Sequence, residues 1–130
     1  MEIRQARFVL RANNFERTTR FYDEVLALPR LTSWDREDGR GACFQAGTAV
    51  IEVLGRSRGE TGDLRDEIYE YQGPRHKITL SFLVLSAERA YEELHFRDKN
   101  IPGGLRKEVD GTLVFETRDP DGVQILFQEA

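Results

Sequence analysis

The hydrophobic positions of this chain alternate in the same way twice. Residues 7–17 read R-F-V-L-R-A-N-N-F-E-R, and residues 79–89 read T-L-S-F-L-V-L-S-A-E-R. Each stretch is a strand-like alternation, then a polar residue suited to capping a helix, then Glu-Arg at a helical opening. Within residues 6–12, Phe8, Leu10 and Ala12 fall on one face and Arg7, Val9 and Arg11 on the other. From Phe15 to about Leu28 the spacing turns helical: Phe15, Tyr22 and Leu26 share a face that Phe21, Val25 and Leu28 widen. Asn14 is the candidate N-cap, and Pro29 marks the end of the helix. Three short strands follow at 30–36, 42–45 and 48–54, separated by D-G-R-G at 38–41 and by Ala46-Gly47.

The second half repeats the order. A strand at 77–84 puts Leu80, Phe82 and Val84 on one face and Thr79, Ser81 and Leu83 on the other. Ser86 is the cap equivalent to Asn14, and 87–97 has helical spacing through Ala90, Tyr91 and Leu94. Pro102-Gly103-Gly104 breaks the chain before strands at 105–109, 112–117 and 123–128. Asp110-Gly111 and Asp119-Pro120-Asp121-Gly122 are their turns: Asp bonds the backbone, Pro presets φ and Gly closes. The prediction is an α+β fold of two βαβββ modules, residues 1–55 and 76–130, in one structural domain. Residues 56–75 form the connector, glycine-rich at first, with one helical turn near 64–69.

Composition narrows the class. A chain of 130 residues with 39% hydrophobic and 32% charged residues is an ordinary globular domain. Its net charge of −4 gives no basic field for nucleic acid. No apolar run reaches membrane-spanning length. The single cysteine, Cys43, forbids an internal disulfide, and the opening Met-Glu-Ile-Arg-Gln-Ala-Arg has no signal-peptide stretch. A cytoplasmic protein is expected.

The string N-F-E-R-T-T-R-F-Y-D-E-V-L-A-L, the closing D-P-D-G-V-Q-I-L-F-Q and the paired βαβββ pattern resemble the vicinal oxygen chelate superfamily. That superfamily holds glyoxalase I, extradiol dioxygenases, fosfomycin resistance enzymes and bleomycin resistance proteins. The resemblance covers nearly the whole chain, most weakly over 55–75. It implies that the modules form a curved, cup-like mixed sheet, and that the protein is a homodimer. It also implies metal ligands, typically His, Gln or Glu, on the first and last strand of each module. Carried onto this chain, those positions read Arg7 and Glu52 in the first module, and Thr79 and Leu126 in the second. Only Glu52 is a strong ligand, because a guanidinium has no lone pair to give and an alkyl chain has no donor at all. No metal or other cofactor is therefore expected. The resemblance also implies that the first and last strands of a module are neighbours, which leads to the hypothesis that Arg7 and Glu52 form an ion pair where a cation would sit. The rival reading leaves Arg7 at the domain edge in water.

The candidate ligand-binding residues on the two cup-facing sides are Arg7, Arg11, Glu52 and Trp34 in the first module. In the second they are Thr79, Ser81, Gln124, Leu126 and Gln128. Such a mixed surface suits a small-molecule site, whereas a packed interior would bury polar groups dry at a cost. Trp34 reads as a core residue or as a stacking platform, and Phe44 and Phe115 as paired core residues. Asp66, Glu67, Tyr69, Glu70 and Tyr71 form an acidic-aromatic run that reads as a solvated segment or a lure for a cation. Cys43 reads as buried and His95 as a surface residue. The expected function is metal-independent binding of a small organic molecule, with antibiotic sequestration as its biological form. The alternative is a metal-dependent lyase, isomerase or dioxygenase with a rearranged site using Glu52 and His76.

Overall fold

The computed structural model describes residues 1–57, 75–99, 101 and 103–130, without the side chains of 75–77. The expected connector helix and the acidic-aromatic run lie outside the described residues. The chain divides into two compact units, Met1–Glu70 and Tyr71–Ala130. The described elements are two helices and two four-stranded mixed sheets, an α+β fold.

The first unit begins with β1 (Arg7–Arg11) and α1 (Phe15–Arg20), which runs on as a π-helical turn, Phe21–Val25. Then come β2 (Arg30–Arg36), β3 (Gly39–Ala46) and β4 (Ala49–Gly55), in the spatial order β1-β4-β3-β2. β1 pairs with β4 in parallel, and the other pairs are antiparallel. Asn14 caps α1 as expected, its side-chain oxygen accepting from the Arg17 N–H at 3.1 Å. The helix lays Tyr22, wholly buried, between Phe21 and Phe44 (centroids at 5.2 and 6.2 Å), above buried Ile51 and Val53.

Two local features depart from the expected pattern. The helix stops before Pro29, because Ala27 takes a left-handed φ of 54° and the Leu28 N–H returns to the Tyr22 carbonyl at 3.0 Å. A Cβ in that region costs about 1–2 kcal/mol, and glycine's greater unfolded-state freedom returns part of it. Ala27→Gly should therefore stabilise the protein by about 0.5–1 kcal/mol in urea unfolding. The second departure is Arg40, expected in a turn. It lies inside β3 with its side chain only 4% exposed. Its guanidinium lies 4.8 Å from the Phe15 ring centroid, donates to the Arg56 carbonyl at 2.8 Å and pairs with Glu16 at 2.9 Å. Those three partners compensate for a charge that alternation alone would leave in water.

The second unit has β5 (Arg75–Val84), α2 (Ala87–Arg97), β6 (Arg106–Lys107), β7 (Leu113–Arg118) and β8 (Val123–Glu129). Their order is β5-β8-β7-β6, again with one parallel pair between the first and last strands. Ser86 caps α2 by accepting from the Arg89 N–H at 3.2 Å. The core is an aromatic file: Tyr91 meets Phe115 edge-on at 5.4 Å, Phe115 stacks on Phe127 at 4.7 Å, and Phe127 meets Phe82 at 5.5 Å. No described helix is long and apolar enough to cross a membrane.

Candidate functional site

In each unit the helix covers one sheet face, and the functional candidates fall on the other. The register of the first sheet sets them in rows. Arg11, Leu54, Gly41 and Trp34 lie side by side across β1, β4, β3 and β2. The next row is Val9, Glu52, Cys43 and Thr32. Residues paired across a sheet point to the same side, so these two rows share a face with Arg7. Arg7 Nη1 meets Glu52 Oε1 at 3.1 Å, with Arg7 52% and Glu52 18% exposed. Arg7 Nε also donates to Gln5 Oε1 at 2.9 Å. The expected ion pair between Arg7 and Glu52 therefore forms, with Arg7 half-exposed on the sheet's edge strand.

Behind the pair lies Cys43, 1% exposed, with Sγ 3.5 Å from the same Glu52 oxygen. Burial raises its thiol pKa above the ordinary 9.0, the hydrogen bond and charge of Glu52 add to that, and Arg7 opposes it. The thiol is thus neutral and inert, as expected from sequence. Its folded-state pKa exceeds the unfolded one, so its contribution to stability is present below pH 9.0 and is lost as pH rises further. Iodoacetamide at pH 8 should label the native protein at least about tenfold more slowly than the urea-unfolded chain. Equal rates would show the thiol open.

Trp34 is half-buried on this face and does not join the core under α1. A Cβ built on Gly41 would stand 2.1 Å from its ring carbon Cζ2, so the indole occupies the space that a side chain at 41 would take. Arg36 Cζ lies 5.7 Å from the Trp34 ring centroid.

The second sheet places Thr79 opposite Gln124 and Ser81 opposite Leu126, the same stagger that sets Val9 opposite Glu52. Arg7 with Glu52 and Thr79 with Leu126 hence occupy matching places in the two sheets. Thr79 Oγ1 donates to Gln124 Oε1 at 3.3 Å, and Gln124 Nε2 donates to Glu116 Oε2. Glu116 pairs with Arg106 at 3.4 Å, and Arg106 reaches Glu108 at 3.6 Å. Gln128 pairs with Leu83 and Val114 away from this chain of contacts. Glu116 and Arg106 lie on the middle strands of their module, outside the first- and last-strand positions that the resemblance marks. The alternation Val114, Glu116, Arg118 on β7 carried the signal.

The pattern of the glyoxalase/bleomycin resistance protein/dioxygenase superfamily matches residues 4–127. The chain belongs to that superfamily. No curated protein matches it. Among solved structures, a glyoxalase family protein from Enterococcus faecalis is 19% identical, with 98% of this chain and 97% of that one covered and a TM-score of 0.67. A lactoylglutathione lyase from Agrobacterium tumefaciens is 17% identical, covering 96% and 92%, with a TM-score of 0.63. A glyoxalase I mutant from Zea mays is 16% identical, covering 95% of this chain and 46% of that one, with a TM-score of 0.71. At these identities the likeness is one of fold.

The donor set of this superfamily member does not fit a divalent cation at the four matching positions. Arg7 brings a positive charge and no lone pair, and it already engages Glu52. Thr79 offers a neutral hydroxyl and Leu126 nothing. Among the described residues no group of three or more His, Cys, Asp or Glu could hold a metal ion. His76 lies in β5, and its side chain is outside the described residues. His95, exposed, stacks on Tyr91 at 5.6 Å on the helix, away from either site face.

Proposed function

We propose that this superfamily member binds a small organic molecule against the sheet faces turned away from its helices, without a divalent cation. The observation that carries the reading is the Arg7–Glu52 pair at a matching ligand position. A guanidinium supplies positive charge and fixed N–H donors, which hold and orient a ligand. It has no coordination site through which to polarise a bound oxygen as a Lewis acid does. A half-exposed pair of this kind contributes about 1 kcal/mol or less to stability. Its value then lies in presenting a defined charge pattern to a ligand. Sequestration of a drug-sized compound, the activity that the words bleomycin resistance describe, is the biological form we favour.

The test joins elemental analysis of the purified protein to a thermal-shift screen of organic ligands and divalent ions. A ligand that binds only the native state raises its melting temperature. The expected result is no stoichiometric metal and stabilisation by organic compounds alone. Glu52→Gln should change stability by less than about 1 kcal/mol yet alter the ligand response. A stoichiometric divalent ion whose loss abolishes ligand binding would overturn the proposal in favour of a metal-dependent lyase, isomerase or dioxygenase.

A further inference from the structure

We infer that the first sheet's open face selects a planar organic anion, an aromatic carboxylate or its sulfonate equivalent. The inference rests on the small-molecule reading above and narrows its ligand class. Three observations converge on it.

The first is charge. The side chains that β1 to β4 present on this face include Arg7, Arg11 and Arg36 and a single carboxylate, Glu52. Glu52 is already paired with Arg7. Arg11 is exposed and makes no ion pair among the described residues. The face is therefore cationic in a chain whose net charge is −4. The overall acidity of the chain does not describe the surface where a ligand would lie.

The second is shape. Gly41 leaves the sheet bare at one point, and the Trp34 indole fills that space. The row Arg11, Leu54, Gly41, Trp34 thus runs from an exposed guanidinium, over an aliphatic side chain, to an aromatic plane. Three strand spacings separate its ends, about 14 Å between α-carbons. One small aromatic ligand fits that length, stacked toward the indole with its acidic end toward Arg11.

The third is the state of the neighbouring groups. Cys43 is neutral, and Glu52 is committed to Arg7, so neither competes for the Arg11 guanidinium.

Trp34 is the only tryptophan, so its emission reports on this face alone. The probes are 4-nitrobenzoate, neutral 4-nitrobenzamide and cationic 4-nitrobenzylammonium, titrated by calorimetry with Trp34 emission followed in parallel. The expected result is saturable binding of 4-nitrobenzoate at least about tenfold tighter than the ammonium compound, weakening with salt. Arg11→Gln should lower affinity for 4-nitrobenzoate about fivefold or more while changing the benzamide less than about twofold. Trp34→Leu should weaken all three probes together. A melting curve confirms that each variant is folded, and Arg11→Lys should restore part of the preference. Equal affinity for the cation, or an Arg11→Gln variant that keeps the preference, overturns the inference and leaves the small-molecule reading standing. Failure of all three probes, together with no stabilisation by any compound in the thermal-shift screen, sinks both. Acrylamide quenching of Trp34 that falls as protein concentration rises would assign the face to a second copy of the chain and also overturn it.

Discussion

Phe115→Ala is expected to cost about 3–5 kcal/mol, the largest loss from any single truncation considered. Phe115 is 1% exposed and sits mid-file, stacked on Phe127 at 4.7 Å with the Tyr91 edge at 5.4 Å. Truncation removes the transfer energy of the ring and leaves a cavity walled by two other rings that cannot close over it. It also forfeits aromatic contacts worth about 0.5–1.5 kcal/mol each beyond area burial. Total stability of a domain this size is about 5–15 kcal/mol, so the variant retains a narrow margin at best. Urea unfolding should show the midpoint falling with little change in slope, and Phe115→Leu should recover most of the loss. A loss under about 1 kcal/mol would mean that the core is not organised around this ring. The consequence reaches the site, because Glu116 follows Phe115 on β7 and points to the opposite side of the strand. A loosened β7 should therefore blur the Gln124–Glu116–Arg106 contacts.

Much of this arrangement is legible in the sequence. Matched caps at Asn14 and Ser86 depend on local chemistry, a side-chain oxygen reaching an N–H three residues on, and both formed. Alternation separated the faces because the strand period of two is strict, and the neighbouring first and last strands that the resemblance implies brought Arg7 and Glu52 together on one of them, where they meet. The features that escaped depend on lateral neighbours. Glu116 meets Gln124 and Arg106 only through the register of three strands. Cys43 meets Glu52 for the same reason. Arg40 was read as a turn residue because D-G-R-G is strong turn chemistry. In the fold only residues 37 and 38 make the turn, and β3 starts at Gly39. Its burial depends on Phe15 and Glu16 arriving from α1. Trp34 escaped the usual expectation for a lone tryptophan because the glycine opposite it, at 41, offers room on the outer face.

The second large effect is expected from Asp119→Ala, at about 3 kcal/mol. Asp119 is 4% exposed, and its Oδ1 accepts from the N–H groups of Asp121 at 2.8 Å and Val123 at 2.9 Å. Each buried donor left without a partner costs about 1–3 kcal/mol, and hydrogen bonds to an ionised acceptor lie at the upper end of that scale. The backbone closes the same turn, with the Gly122 N–H donating to the Asp119 carbonyl at 2.9 Å and Gly122 held at φ 86°. Pro120 presets the first corner. The side chain therefore fixes where β8 begins. That start decides whether Gln124 and Leu126 or their neighbours face the site, since a slip of one residue turns every β8 side chain to the other face. Asp119→Asn keeps an oxygen acceptor and loses only the charge, so it should recover more than half of the alanine loss. Urea unfolding of the two variants measures the stability terms, and 4-nitrobenzoate affinity supplies the control. That affinity should survive Asp119→Asn unchanged, because Arg11 and Trp34 belong to the other sheet. If Asp119→Ala loses less than about 1 kcal/mol, the hydrogen bonds to Oδ1 are not what holds the turn, and its backbone with Pro120 and Gly122 holds it instead.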